Sequence, residues 1–70
     1  MKISARNQLK GTVSSIKKGS VNAIVVIDIG GGNTMSATIS IDAVKELKLK
    51  AGSEAYAIVK ATSVMIGIPD

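Results

Sequence analysis

The chain reads as an all-β domain with one short helix, and three features of its 70 residues point there. Val, Ile, Thr and Ala dominate in short runs, the composition of half-buried strands. Gly, Ser, Asn and Lys separate those runs and supply turn chemistry at regular intervals. Only Ile41 to Leu49 departs from this pattern, with Ile41, Val44 and Leu47 at helical spacing. A helix after the third strand of a five-stranded antiparallel chain is the order of an OB-type Greek-key barrel.

The elements follow in sequence. The first strand is expected in two parts, Lys2 to Arg6 and Leu9 to Lys17, and turns at Lys18, Gly19 and Ser20 into a second, Val21 to Ile29. Gly30, Gly31, Gly32 and Asn33 form the next hairpin turn, because Gly and Asn tolerate the positive φ that tight hairpins require. The third strand is Thr34 to Ser40. Ser40 then caps the helix and Asp42 complements its dipole. Ala51, Gly52 and Ser53 lead into a fourth strand, Glu54 to Ala61, and a fifth, Ser63 to Ile68. In the second strand Ile24 and Val26 on one face are as apolar as Val25 and Ile27 on the other. A domain this small has one interior, so a second copy of the chain is expected to cover the other face.

Composition narrows the function. A single domain of this length buries only about 60% of its unfolded surface and needs disulfides, metals or assembly for stability. The chain has no Cys and no His, which leaves assembly and removes thiolate, imidazole and most transition-metal chemistry. The lack of Cys fits a reducing compartment, and no apolar leader follows Met1 and Lys2, so a cytoplasmic protein is expected. The apolar runs Ala23 to Ile27 and Ala55 to Val59 fall far short of a membrane span. Net charge is +4, and Lys2, Arg6, Lys10, Lys17 and Lys18 lie in the first eighteen residues without an acid among them. Nucleic acid and small anions both suit that asymmetry. The only aromatic ring is Tyr56, which cannot build the stacking platform of a single-strand binder.

Catalytic constellations are missing. The run Gly30 to Gly32 precedes Asn33, Thr34 and a strand, and lacks both the Lys-Ser/Thr pair of a P-loop and the helix of a dinucleotide fingerprint. Asp42 and Glu46 lie one helical turn apart, but one complements the dipole and the other is a solvated charge near Lys50. No acid, base or nucleophile cluster remains, so the chain is not read as an enzyme.

What remains is suited to anions. Ser4, Ala5, Arg6, Asn7 and Gln8 near one end, and Lys60, Ala61, Thr62 and Ser63 near the other, offer a guanidinium, an ammonium, hydroxyls and amides. Spacing alone leaves Arg6 and Lys60 open as ordinary surface charges. Two further donor sets are the helix N-terminus after Ser40 and a backbone nest around Gly19 and Ser20.

The segment Ile3 to Gly11, with Ile41 to Gly52 and Val59 to Met65, resembles a molbindin, the free-standing form of the molybdate-binding Mop domain, over essentially the whole chain. The resemblance implies an OB-like domain that exchanges strands in a homohexamer, a trimer of dimers, and binds molybdate or tungstate at subunit interfaces with no cofactor and no direct metal coordination. One class of site would use Ser4, the amide of Ala5, Arg6 and, from an adjacent subunit, Lys60, the amide of Ala61, and Ser40 or Thr62. A second class near the three-fold axis would use the hairpin Gly19, Ser20, Val21 and Asn22, chiefly through amides. Ala43 departs from relatives that carry a hydroxyl there. The expected role is storage or buffering of the oxyanion in the cytoplasm, without nucleic-acid or membrane partners. The rival readings are an OB-like module on nucleic-acid phosphates and a protein-interaction module.

Overall fold

The computed structural model describes Met1–Asp70 as one curled antiparallel sheet with a short helix. Strands β1 (Asn7–Lys18), β2 (Asn22–Gly30) and β3 (Asn33–Ser40) lead to helix α1 (Ile41–Glu46), followed by β4 (Glu54–Val59) and a 3₁₀ turn at Ala61–Ser63. The strand order is β3-β2-β1-β4, so the long β1 is shared. Its first half pairs with β4 from Asn7↔Val59 to Thr12↔Glu54, and its second half with β2 from Thr12↔Asp28 to Lys18↔Ala23.

Two local features let one strand serve both neighbours. A β-bulge shifts the register between Val13 and Ser15, and the Ser14 hydroxyl donates to the Val26 carbonyl at 3.2 Å. Bulges bend and coil a strand. At Gly11 a Cβ would run into the Asp28 carbonyl and the Ile27 side chain, so only glycine lets β1 cross so close to β2. Gly31 and Gly32, with φ of 64° and 79°, make a two-residue loop between the paired Gly30 and Asn33, the turn that the glycine run predicts.

The core is small. Val13, Ala23, Val25, Ile27 and Val44 are its buried members, with Ile16, Ile29, Ile39, Ile41 and Leu49 packed against it. Helix α1 contributes Val44 and is anchored at its start. The Ser40 hydroxyl accepts the Ala43 amide at 3.0 Å, and the Ile41 amide reaches the Val21 carbonyl at 2.9 Å.

The helix is shorter than the expected Ile41 to Leu49. Lys48 adopts φ of 53°, its amide donates to the Lys45 carbonyl, and the Leu49 amide donates to Val44. This is a Schellman ending, which stops the helix and folds Leu49 back onto the core while Leu47 stays 65% exposed.

Four strands form where five were expected. Lys2 to Arg6 lies outside the sheet, β4 ends at Val59 and not at Ala61, and Ser63 to Ile68 forms no strand. The last of these has the composition of a strand, but Met65, Ile66 and Ile68 are 86–90% exposed. A strand needs a ladder partner, and the single chain offers this tail none.

Candidate functional site

Fifty-two positions separate Asn7 from Val59 in sequence, yet they are paired at the end of the β1–β4 ladder. That register joins the two polar blocks into one cleft, lined by Ser4, Ala5, Arg6, Ile58, Lys60, Ala61 and Thr62. Six of the seven first-class candidates therefore meet within a single chain, without a neighbouring copy to deliver Lys60.

The backbone of the cleft is arranged asymmetrically. Three of its carbonyls are occupied: Ala5 accepts from Gln8 Nε2 at 2.7 Å, Lys60 from the Ser63 amide at 2.9 Å, and Ala61 from the Val64 amide at 3.2 Å, whereas those of Ser4, Arg6 and Thr62 accept from no group of the chain. Its amides are free, since those of Ala5, Arg6, Lys60, Ala61 and Thr62 donate to no group of the chain. Each peptide unit carries one strong donor and one strong acceptor, so tying up three of the acceptors leaves the donors in excess. Arg6 and Lys60 add full positive charge. Neither has an acidic partner, and the single ion pair of the chain, Lys10 to Glu54 at 3.7 Å, lies elsewhere on the exposed face of β1 and β4. No carboxylate lines the cleft.

Ser40 is the candidate that the chain does not bring to this cleft. It pairs with Asn22 across β2 and β3, and its oxygen is engaged as the helix cap. It therefore sits with the second group, Gly19, Ser20, Val21 and Asn22. There the Gly19 amide is spent on the Asn22 carbonyl at 2.8 Å, which takes it out of any anion nest. The amides of Ser20 and Val21 have no acceptor in the chain.

Asn7, whose Nδ2 donates to the Val59 carbonyl at 3.3 Å, and Gln8 belong to the polar block Ser4 to Gln8 but were not among the expected ligand contacts. The three-residue spacing of Ala5 and Gln8 is a legible signal of a local turn. The contact from Asn7 to Val59 depends on a register known only from the fold. No group of His, Cys, Asp or Glu side chains could hold a metal ion.

A second concavity is apolar. Val25, Ile27 and Ile39 form its floor and Leu47, Leu49 and Tyr56 its walls, around about 340 Å³ of open groove.

A family model described as the TOBE domain matches residues 3–66. A probable molybdenum-pterin-binding protein of Haemophilus influenzae is 74% identical over 68 residues, 97% of this chain and 99% of that protein. A solved molybdate-binding protein from Sporomusa ovata is 44% identical and superposes with a TM-score of 0.89 over 97% of this chain and all of that one. The cytoplasmic molybdate-binding protein ModG, solved with molybdate bound, is 52% identical, with a TM-score of 0.82 over 87% of this chain and 43% of that chain.

Proposed function

This chain belongs to the TOBE-domain family, and from that premise we propose that it binds molybdate or tungstate by hydrogen bonds and charge, as a binding protein and not as an enzyme. The observation that carries the reading is the cleft in which the amides of Ala5, Arg6, Lys60, Ala61 and Thr62 are free while the Ala5, Lys60 and Ala61 carbonyls are occupied, set between Arg6 and Lys60. A fully deprotonated tetrahedral dianion accepts hydrogen bonds at every oxygen and donates none, which matches a surface with donors in excess. Relatives named for pterin as well as molybdenum raise the question of a ring. Tyr56 is the only aromatic residue and lines the apolar groove, so the cleft offers the oxyanion a fit and a pterin no stacking partner.

The finer reading is that two classes of site operate in an assembly. The first is the cleft of Ser4, Ala5, Arg6, Lys60, Ala61 and Thr62. The second is the hairpin with the free amides of Ser20 and Val21, beside Ser40. Arg6 and Lys60 are exposed in the lone chain, where water would compete for the anion. A neighbouring subunit over the cleft would exclude that water and strengthen each contact. The exposed tail Val64 to Ile68 is the segment we assign to exchange, filling a neighbour's apolar groove in a homohexamer. Storage or buffering of the oxyanion in the cytoplasm is the role such an assembly suits, and ModG offers a cytoplasmic precedent. Native mass spectrometry with and without molybdate tests these points together. Discrete adducts on a hexamer are expected; a protein whose mass is unchanged by molybdate would overturn the reading.

A further inference from the structure

We propose that Gln8, assisted by Asn7, determines which anions the cleft accepts, by holding backbone acceptors away from the ligand. The inference rests on the oxyanion reading of the cleft and adds a mechanism for its selectivity.

The argument starts from the peptide bond. In a planar trans peptide the carbonyl and the following N–H point in opposite directions. Gln8 Nε2 holds the Ala5 carbonyl at 2.7 Å, which commits the other side of that peptide, the Arg6 amide, to the opposite direction. Asn7 Nδ2 does the same at 3.3 Å for Val59, and so for the Lys60 amide. The two clamps therefore act on the two peptides that carry the amides of the cleft's two cations. Neither clamp lines the cleft, so neither brings its own amide oxygen to the ligand. The peptide after Ala5 lies outside the sheet, where no strand ladder fixes it, and a side chain is what holds it in place.

The consequence concerns protonated ligands. Near neutral pH every phosphate keeps at least one proton, as the monohydrogen or dihydrogen ion, whereas molybdate, tungstate and sulfate keep none. A site whose donors outnumber its free acceptors pairs that proton poorly, and an unpaired polar group in a binding site is costly. The hydroxyls of Ser4 and Thr62 are poor substitutes, because a hydroxyl cannot accept from an oxygen to which it is donating. Released from Gln8, the Ala5 peptide is free to turn its carbonyl toward the ligand. That carbonyl repels an anion with no proton to donate and accepts a hydrogen bond from one that carries a proton. Gln8 thus lowers affinity for phosphate relative to molybdate, while size alone separates molybdate from sulfate.

Calorimetric titration of the intact protein with molybdate, and competition with phosphate, tests this on Gln8→Leu, which keeps the bulk and removes the donor. The ratio of phosphate Kd to molybdate Kd is expected to fall by about tenfold or more, the weight of one hydrogen bond to a charged group. Oligomeric mass should be unchanged, because the Gln8 side chain is exposed. Gln8→Asn, too short to span the same contact, carries the test if the leucine variant does not assemble. Loss of affinity for both anions in equal proportion, or an unchanged ratio, would overturn the inference and reduce Gln8 to a structural residue. Arg6→Ala separates the two levels: if it retains wild-type molybdate affinity, the ligand binds elsewhere and the site reading itself fails.

Discussion

Arg6 and Lys60 carry full charges beside a set of unpaired amides, and neither has an acidic partner. Lys17 is also a cation in the basic N-terminal third, but it lies on β1 next to the hairpin and outside the cleft. If the anion is held by directed hydrogen bonds, the two positions must differ; if it is held by bulk electrostatics, they should be equivalent. A hydrogen bond between charged groups is worth about 1.5–3 kcal/mol, so Arg6→Ala is expected to raise the molybdate Kd by about 10- to 150-fold. Lys17→Ala, the loss of a solvated charge, should change it by less than about threefold. Equal effects in parallel titrations would remove Arg6 from the site.

At the scale of elements, helix α1 shows how closely local chemistry and tertiary packing are joined. Its start is an ordinary Ser cap, but its end places Lys48 in the left-handed region, at φ of 53°, where a side chain is strained and glycine is not. Lys48→Gly should therefore stabilise the protein by about 1 kcal/mol, read as a higher melting temperature. A lower melting temperature would mean that the Lys48 side chain contributes more than its backbone strain costs. Ser40→Ala, by contrast, should cost about 1 kcal/mol through loss of the cap. Its effect on molybdate affinity then reports whether Ser40 also serves a site.

For the whole molecule, the decisive fact is how little it buries. Five of 70 residues are buried, while Met65, Ile66 and Ile68 stand free and an apolar groove lies open over Val25 and Ile27. Apolar area exposed on this scale is stabilised by association, and a stable oligomer makes folding and assembly one process. Sedimentation of the intact chain at micromolar concentration is expected to show an oligomer. A chain ending at Ser63, which lacks the free tail, should sediment as smaller species or unfold. A folded, stable monomer of the intact chain would count decisively against assembly.

The residues by themselves determined the all-β class, the glycine hairpin, the capped helix start and the anion character of two polar blocks. Each of these is a local property: turn residues tolerate positive φ, a Ser hydroxyl caps its own helix, and a guanidinium remains a fork of donors in any fold. What lies between distant segments was not legible. The register Asn7↔Val59 joins Arg6 to Lys60 on a strand that also pairs with β2, where a bulge after Val13 and a glycine at position 11 accommodate the second neighbour. The same long-range geometry placed Ser40 beside Asn22 and away from the cleft, and exposed Leu47 in favour of Leu49. Strand composition at Ser63 to Ile68 overstated the sheet for a related reason. Propensity describes what a segment tolerates, whereas a strand exists only where the tertiary structure supplies a partner for its hydrogen bonds.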